Sequence, residues 1–567
     1  MRRKCGSLKI RVGKGIYAIS CVGMALAAST SASAFEFSLN PDIAGRWDNT
    51  IQYIGGMRVH SIDPNIGNNP VFNQSDYRFA HAGSVVTNRV SDLTEFDLSY
   101  RQTYGFRVSA SLFKDFAYDG SARSNPGFAA PGVPYSSLGS YPGNRYSSYT
   151  RSYYENGSQL LDAFAYGSFD VGGHTVSVKL GRVTEVWGTA IFFSDQSISY
   201  AQSAADDVKG SAAPGSTLKE LALPRAQIVV QSEITPKLSL AAQYFLEFQH
   251  NLLPVGGTYL GLSDFLFNGP TQLLGTIPHG NDFQPKNVNN NFGIRATWTP
   301  EFMSGGRLGF YYRRLDEAEP WVLFGQNPAT GASNYHLSYN QGTQLFGFSA
   351  EAGVGIVSTG FEASYRHNTA LNSATNPLPT DPSGKTGARG DTINVIANAI
   401  MPLKKNPLYE SGTLVAELAF TQRVGSIQNA ALYNGTGNRL ACPTGSKWDG
   451  CSTNNSVAAA VQFDPQWLQV FPGVDIDMPM FAMYGIYGNT PSLTTVVTNQ
   501  GWVSYTIGVH ALIQNKYNVT LQYNASHSHT SGLTRFAPGG PTYYAGGNGP
   551  YMLNDRPWIS LTLQTSF

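Results

Sequence analysis

The last ten residues, Trp558 to Phe567, constrain the fold of this chain more than any other segment. They read Trp-Ile-Ser-Leu-Thr-Leu-Gln-Thr-Ser-Phe, so that apolar side chains alternate with serine, threonine and glutamine. Successive side chains of a β-strand point to opposite faces of the sheet. The alternation therefore predicts a final strand with one apolar face and one polar face, ending on an aromatic residue.

The opposite end of the chain has the order of features that defines a secretory signal peptide. Six basic residues and no acid occupy positions 1–14, an apolar run extends from about Ile16 to Ala28, and Ala32-Ser33-Ala34 precedes Phe35. The run is too short to span a membrane. We therefore predict a signal peptide at 1–34 and a mature chain at 35–567. In an exported protein, the aromatic final strand resembles the closing strand of bacterial outer-membrane barrels, which is also their assembly signal.

The composition excludes two classes of protein. The whole chain has a formal charge of +1, but the leader holds six of the 38 basic residues and none of the 37 acids, which leaves 32 − 37 = −5 for the mature chain. A nucleic-acid-binding protein would need a basic face. No uncharged apolar run after the leader approaches the roughly 18 residues of a transmembrane helix. With only 13% charged residues and 60 glycines, the chain suits strands that face lipid on one side and water on the other.

Alternating runs recur along the whole chain, in pairs that a short turn separates. One pair consists of Leu161, Ala163, Ala165 and Phe169, then Gly172-Gly173, then Val176, Val178 and Leu180. Gly-Gly between two such runs predicts a β-hairpin. Longer segments rich in Gly, Pro, Ser, Asn and Tyr lie between the hairpins, at about 60–92, 114–159, 189–225, 250–290, 315–342, 369–390, 424–456 and 528–556.

This alternation of short turns and long loops predicts an all-β fold, a transmembrane antiparallel up-and-down β-barrel of about 18 strands. The turns would face the periplasm and the loops the outside. A secreted β-sandwich or propeller is the alternative, but it explains neither the terminal Phe567 nor the turn-and-loop rhythm. The pattern is least clear near 457–486, where Pro465 and Pro472 interrupt it.

If the apolar positions face lipid, the charged residues on the opposite face line the lumen. These candidates are Arg46, Asp48, Asp97, Arg107, Glu247, Arg295, Arg307, Glu351, Glu362, Arg366 and Glu417. Both signs of charge occur, whereas strong ion selectivity would need a ring of one sign. The alternative for each residue is that it only pairs with its neighbours in a wet interior.

The third long loop, at 189–225, carries apolar residues such as Ile191, Phe192 and Phe193 that would be poorly placed in open water. We expect this loop to fold inward and constrict or plug the lumen, with a helical cap over the mouth as the alternative. The strict alternation breaks just before the loop, and a β-bulge near Gly181 or Gly188 is expected there.

Other residues that could carry chemistry give weaker signals. Cys442 and Cys451, the cysteines that remain after Cys5 and Cys21 leave with the leader, predict a disulfide in a surface loop. His527 and His529 lie close together, but two histidines without acids are poor evidence for a metal site. Tyrosines in the second long loop suit either ligand contacts or a cover packed on neighbouring loops; they are Tyr141, Tyr146, Tyr149, Tyr153 and Tyr154. No serine-nucleophile elbow, phosphate-binding loop or metalloprotease motif occurs.

Several segments, in matching order along the mature chain, resemble a proteobacterial outer-membrane family, domain of unknown function 1302. They are Gly45-Arg46-Trp47-Asp48-Asn49-Thr50, Leu180-Gly181-Arg182, Trp187-Gly188, Leu218-Lys219-Glu220, Glu362-Ala363-Ser364-Tyr365-Arg366, Arg389-Gly390-Asp391-Thr392 and Pro472-Gly473-Val474-Asp475. The resemblance implies a location in the outer membrane. It also implies traffic of steroids, esters or fatty acids, because members are often encoded beside a lipoprotein-like family and an inner-membrane exporter of the resistance–nodulation–division type. The family has no established catalytic residues.

The sequence thus predicts an outer-membrane channel for passive passage of small hydrophobic or amphipathic molecules, and not an enzyme. A surface adhesin or ligand-binding barrel without transport is one alternative, and an outer-membrane hydrolase is another. We expect no cofactor, no metal and no nucleic acid. The expected partners are outer-membrane lipid and lipopolysaccharide, the barrel assembly machinery, a small hydrophobic solute and, from the resemblance, an envelope lipoprotein and an inner-membrane exporter.

Overall fold

The fold is a closed antiparallel β-barrel. The computed structural model describes residues 35–326, 330–376 and 381–567, so the predicted signal peptide lies outside the described residues. Twenty strands form one sheet. Phe35–Asn40 is a short strand that pairs antiparallel with the start of the first barrel strand and does not cross the wall by itself. Two other short strands together form one barrel strand, which leaves 18 around the barrel. The last strand pairs with the first and closes the ring, which confirms the predicted fold class.

We number the barrel strands in chain order. They are β1 Ile43–Arg58, β2 Val85–Tyr100, β3 Tyr104–Asp115, β4 Asn156–Val171, β5 His174–Val183, β6 Arg225–Thr235, β7 Leu238–Phe245, β8 Phe292–Trp298, β9 Arg307–Leu315, β10 Thr343–Val354, β11 Val357–Ala370, β12 Arg389–Leu403, β13 Ser411–Gln428, β14 Asn455–Phe471, β15 Val474–Asp477 with Met480–Tyr487, β16 Val503–Ile513, β17 Tyr517–His527 and β18 Trp558–Ser566. The two halves of β15 flank Met478 and Pro479, where proline cannot donate to the ladder.

Helices and small hairpins occur in the loops. The α-helices are α1 Pro64–Gly67, α2 Asn73–Tyr77, α3 Ser148–Tyr154, α4 Asp207–Ala212 and α5 Leu218–Leu221. Short 3₁₀ turns occupy Phe116–Tyr118, Tyr135–Leu138, Pro142–Asn144, Ser194–Gln196, Glu301–Met303, Ala430–Leu432, Lys447–Asp449 and Tyr551–Leu553. The paired loop strands are Phe128–Ala130 with Val133–Pro134, Ala204–Ala205 with Ala222–Leu223, Gln272–Leu273 with Ile277–Pro278, Pro320–Gln326 with Ser333–Tyr339, His529–Thr530 with Gly547–Asn548, and Leu533–Arg535 with Thr542–Tyr544. None of the helices in the described ranges is long and apolar enough to cross a membrane.

The connections follow the predicted rhythm, with one addition. Short turns join the strands at one end of the barrel, at 101–103, 172–173, 236–237, 299–306, 355–356, 404–410, 472–473 and 514–516. Long loops join them at the other end. The structure adds a long loop at 488–502 to the eight predicted. Pro465 and Pro472 interrupt the alternation in the two strands before this loop. In the structure, Pro465 pairs within β14 and Pro472 lies in a two-residue turn, so neither proline breaks the barrel wall.

Large apolar side chains cover the outside of the barrel. Examples from strands around the circumference are Trp47, Phe106, Leu180, Leu240, Ile294, Phe310, Phe346, Leu418, Val461, Val509 and Leu521, all exposed. One residue departs from the predicted faces. The register between β3 and β4 shifts between Val108 and Ala110, so that Leu160 is half exposed on the outside while Leu161 is buried inside. A β-bulge reverses the facing of every residue beyond it, and sequence alternation alone does not locate it.

The bulge expected near Gly181 is absent, because the register of β5 with both neighbouring strands runs through this residue without a shift. Gly181 instead has a φ of +129° and lies so close to β4 that a Cβ would meet the Ala163 carbonyl oxygen and the Phe164 Cα. Only glycine combines this backbone angle with such a close approach. The interruption of the pattern therefore marks close strand packing, and not an extra residue.

The long loops pack together over the barrel through a core rich in tyrosine. Tyr141, Tyr146 and Tyr154 of the second loop are almost fully buried, beside Tyr118 and Tyr259. The hydroxyl groups of Tyr141 and Tyr146 donate to the carbonyl oxygens of the adjacent Gly256 and Gly257. Of the two interpretations of this loop, the structure supports the packed cover, because the buried rings are not available to an external ligand.

Cys442 and Cys451 lie together in the loop at 429–454, with their sulfur atoms in contact and their Cα atoms 6.0 Å apart. This separation is within the range of a disulfide, and oxidation of the pair in the envelope remains a prediction. We expect the variant C442S/C451S to lose about 2–3 kcal/mol of local loop stability and to be cut faster by trypsin after the neighbouring Lys447. The heat stability of the barrel should not change, since the pair closes a loop that lies outside the strands. Equal cleavage rates in the oxidised protein and the variant would contradict a structural disulfide.

Candidate functional site

The third long loop, residues 184–224, which we call the inner loop, touches the barrel wall on two opposite sides. On one side, Lys219 Nζ lies 3.0 Å from the Glu95 carboxylate of β2. The carbonyl oxygen of Pro214 accepts from Thr562 Oγ1 of β18 at 3.2 Å and from Gln52 Nε2 of β1 at 3.5 Å. These contacts attach the C-terminal half of the inner loop to strands β18, β1 and β2.

On the other side, two wall carboxylates bind the N-terminal half of the inner loop through its backbone. Glu417 of β13 accepts from the N–H groups of residues 191, 192 and 193 at 2.6, 2.8 and 2.8 Å. Glu362 of β11 accepts from the N–H groups of residues 189, 190 and 198 and from Ser197 Oγ. Both glutamates are at most 2% exposed. Hydrogen bonds from several N–H groups to one buried carboxylate are among the stronger polar contacts in proteins.

Strands β11 to β13 lie across the 18-strand ring from β18, β1 and β2. The contacted residues Gln52, Thr562, Glu362 and Glu417 lie within the strands on the inward face, so the loop that joins them crosses the interior of the barrel and does not lie over its mouth. Residues 191–221 therefore lie inside the barrel, as the inward fold expected from the sequence requires. That it limits passage through the lumen remains a prediction.

Gly188 allows the inner loop to approach the wall closely. Its φ is +96°, in the region that favours glycine. A Cβ at this position would overlap the Glu362 carboxylate. The Trp187-Gly188 pair seen in the sequence thus marks the point where the loop meets the wall.

Three fully buried arginines complete the attachment by donating to backbone carbonyl oxygens of the inner loop. Arg366 of β11 donates to Ser197 at 2.8 Å, Arg313 of β9 to residues 198 and 200 at 2.7 Å, and Arg225 of β6 to residue 201 at 3.0 Å. Only Arg366 was among the sequence candidates. Arg313 follows the outward-facing Tyr312, so strand alternation could have identified it as an inward residue. Arg225 begins β6, where no alternation precedes it.

Four of the predicted lumen residues meet at a second place, near the turn end of β1 to β3. Arg46, Asp48, Asp97 and Arg107 line a pocket of about 470 Å³ together with Glu95 and Lys219. Arg46 pairs with Asp48 at 2.7 Å, and Arg107 pairs with Glu95 and with Asp162 of β4. The pairing of opposite charges agrees with the simpler interpretation of these residues as neighbours in a wet interior.

Of the remaining candidates, only Arg295 contacts the inner loop, and the others form ion pairs elsewhere on the wall. Glu247 follows β7 and pairs with Arg182 at 2.8 Å. The Arg295 guanidinium lies over the Trp187 ring, 5.3 Å from its centroid. Arg307 pairs with Glu351 at 2.6 Å between β9 and β10, where both are partly exposed. A role of these residues in lining a passage remains a prediction.

The family model for proteins of unknown function DUF1302 matches residues 16–567. The chain belongs to the DUF1302 family. No curated protein matches this DUF1302 chain.

Solved outer-membrane proteins resemble this DUF1302 barrel only distantly. Acinetobacter baumannii OccAB1 aligns with 9% identity and a TM-score of 0.41 over 95% of this chain and 99% of its own. Pseudomonas aeruginosa OccK2 (OpdF) aligns with 9% identity and a TM-score of 0.38 over 92% and 97%. The outer membrane channel DcaP of A. baumannii aligns with 9% identity and a TM-score of 0.35 over 94% and 99%. Likeness at this level gives no information about the solute of the DUF1302 protein.

The inner loop of this DUF1302 protein also encloses a cavity of about 330 Å³ between itself and the fourth and fifth long loops. Its apolar lining includes Ile191, Phe192 and Leu221, and its charged side chains are all acidic. Burial and the nearby acids Asp195 and Asp206 raise the pKa of Asp207 to about 8. Within the described residues, no group of three histidine, cysteine or acidic side chains is arranged to hold a metal ion.

Proposed function

We propose that this DUF1302 protein is an outer-membrane channel for passive passage of small hydrophobic or amphipathic molecules of lipid, steroid or ester type. One observation carries the proposal: a loop crosses the interior of a closed barrel and is held there by wall carboxylates and arginines. Such an arrangement leaves separate spaces beside and within the loop instead of one wide pore. A narrowed path of this kind suits selective passage.

The surroundings proposed for the barrel follow from its outer face. An exposed apolar belt on a soluble protein would be an aggregation site, and it is stable when it faces lipid. We place the belt in the outer membrane, in contact with lipid and lipopolysaccharide, with the long loops outside. The barrel assembly machinery would recognise β18. An envelope lipoprotein and an inner-membrane exporter would supply or receive the solute.

The first experiment is a measurement of single-channel conductance with the refolded mature protein in a planar bilayer, paired with uptake of a steroid ester into liposomes. We expect small, stable conductance steps, because the inner loop occupies much of the lumen, together with ester uptake faster than in protein-free liposomes. Correct folding would be checked by the shift of gel mobility on heating. A folded barrel that gives neither steps nor uptake would refute the proposal.

A barrel that binds a ligand at its outer surface without transport is the second candidate, and one observation favours it. The fourth, fifth and sixth long loops form an open groove of about 820 Å³ lined by several asparagine and glutamine side chains, with the basic residues Lys286, Lys385 and Arg389, the acid Asp282 and His336. Amides and basic groups suit a polar or anionic ligand more than a hydrophobic one. Normal ester uptake in the K286A/K385A variant would separate this groove from the proposed passage.

A further inference from the structure

The cavity within the inner loop has an unusual balance of charge. Five acids line it, Glu185, Asp195, Asp206, Asp207 and Glu319, and no basic residue does. Glu185 pairs with Lys179 at 2.7 Å and Asp206 with Lys209 at 3.8 Å. Among the described residues, no ion pair compensates Asp195, Asp207 or Glu319.

The oxygens of these three carboxylates are only partly satisfied. Glu319 is 6% exposed, and its Oε2 accepts from Asn251 and Thr495 at 3.1 Å, whereas no described residue donates to Oε1. No described residue donates to the carboxylate of Asp207 either, and its enclosed Oδ2 is unpaired. Asp195 is 9% exposed and accepts from the Val496 N–H at 2.7 Å. A buried carboxylate oxygen without a donor, such as Asp207 Oδ2, is costly and calls for a partner.

Part of the remaining lining is apolar and accessible. Val186, Ile191 and Leu218 are 53%, 40% and 69% exposed, although they belong to a loop inside the barrel. The cavity volume of about 330 Å³ falls at the lower end of the roughly 300–1,000 Å³ of small-molecule sites. An apolar wall beside uncompensated carboxylates complements a molecule with a hydrophobic body and a positive head.

We propose that this cavity is a binding site for an amphipathic organic cation, whose ammonium group lies against Asp195, Asp207 and Glu319 and whose apolar body lies against Ile191, Phe192 and Leu218. The site would select one class of amphipathic solute, and this role rests on the proposed channel function. The ion pairs formed with the ammonium group would compensate the three carboxylates.

The ionisation of the site gives it a pH dependence with a definite sign. Burial, followed by the nearby Asp195 and Asp207, raises the pKa of Glu319 to about 8, close to the value for Asp207. Burial also raises the pKa of Asp195, against the neighbouring Arg366 and the Val496 N–H. The other charged groups around the cavity, Glu185 with Lys179 and Asp206 with Lys209, are paired. Raising the pH through about 8 therefore creates negative charge in the cavity, and cation affinity should rise with it.

The test is calorimetric titration of the folded protein in neutral detergent with benzyltrimethylammonium, whose charge does not titrate, and with benzyl alcohol and benzoate as neutral and anionic counterparts. We expect the cation to bind at least about tenfold more tightly than either counterpart, and its affinity to rise from about pH 6 to about pH 9. The titration measures binding and does not need passage through the barrel. A barrel that binds the cation but passes no solute would therefore refute the channel proposal and leave the binding site standing.

Two variants remove single charges from the site with little other change. Asp207→Asn breaks no hydrogen bond of the described chain, and Glu319→Gln keeps an oxygen for Asn251 and Thr495. Each is expected to weaken cation binding about tenfold. Asp170→Asn, at an exposed position beside a turn, makes the same change in net charge and should bind as the unmodified protein does. Equal affinity for the three probes, unchanged affinity in both site variants, or affinity that falls as the pH rises would overturn the proposal.

Discussion

The double variant Glu362→Gln/Glu417→Gln is expected to give single-channel conductance steps several-fold larger and noisier than those of the unmodified protein. The two carboxylates together accept from six backbone N–H groups of the inner loop. A glutamine at either position has one acceptor oxygen instead of two, and its NH₂ group would face N–H donors. Losing charged hydrogen bonds of this kind costs about 1.5–3 kcal/mol each, so the N-terminal half of the loop should detach from β11 and β13.

Two further variants show whether the larger conductance comes from release of the inner loop. Glu233→Gln is the control for loss of a glutamate charge elsewhere on the wall, since this residue is exposed beside the short turn at 236–237. Gly188→Ala disturbs the same attachment without changing a wall residue, because its Cβ would press on Glu362. We expect a smaller increase in conductance than in the double variant. Unchanged conductance in a double variant that folds normally would mean that the inner loop does not limit passage.

The second large effect is expected for Asp76→Asn, which should destabilise the outer loops by about 3–5 kcal/mol. Asp76 is fully buried, and its Oδ1 lies 3.1 Å from Arg58 Nη1 and 3.2 Å from Arg556 Nε. Arg58 ends β1 and Arg556 precedes β18, so this carboxylate holds together the loop end of the closing seam. Both arginines are fully buried, and the variant leaves them with Asp555 as their remaining acidic partner.

The destabilisation would be measured by thermal unfolding and by proteolysis of loop residues 59–84 and 528–557. Asp42→Asn is the control, because Asp42 and Arg101 form an exposed pair of a type that contributes only about 0–1 kcal/mol.

The pH dependence of stability gives a second check. Burial and the nearby Asp76 raise the pKa of Asp555 to about 7. The native state then keeps a proton that the unfolded chain releases, so stability should fall as the pH rises from about 4 to about 7. This slope should be shallower in Asp76→Asn. An equal unfolding temperature in Asp76→Asn and Asp42→Asn would show that the buried cluster does not stabilise the seam.

The wall residues show how far the sequence alone can lead. Strand alternation assigned Glu362, Arg366 and Glu417 to the interior, because the period of two separates the faces without knowledge of the fold. It gave no sign that Glu362 and Glu417 bind backbone N–H groups of a loop about 170–230 residues earlier in the chain. Backbone groups are the same at every position, so a contact made through them leaves no mark in the sequence of the loop.

Leu161 and the loop at 488–502 show where local pattern fails. The bulge that turns Leu161 inward depends on how β3 and β4 register with each other, and register is a property of two strands. The eighth long loop is short among its neighbours and follows a β15 that Pro479 divides, so neither strand pattern nor loop length marked it. The Tyr-rich second loop was compatible with two roles until the structure showed that Tyr141, Tyr146 and Tyr154 are buried against neighbouring loops.

The sequence by itself determined that the chain forms a barrel, about how many strands it has, which faces are apolar and which loop is unusual. These properties follow from alternation, turn residues and composition, which act over a few neighbouring residues. The tertiary structure alone decided that the inner loop crosses from β11–β13 to β18, β1 and β2, that Asp76 joins the first and last strands at the loop end of the barrel, and that five acids share one cavity without a basic residue. These contacts link residues far apart in the chain. Their energy depends on burial and on the distance between charges, which only the folded geometry sets.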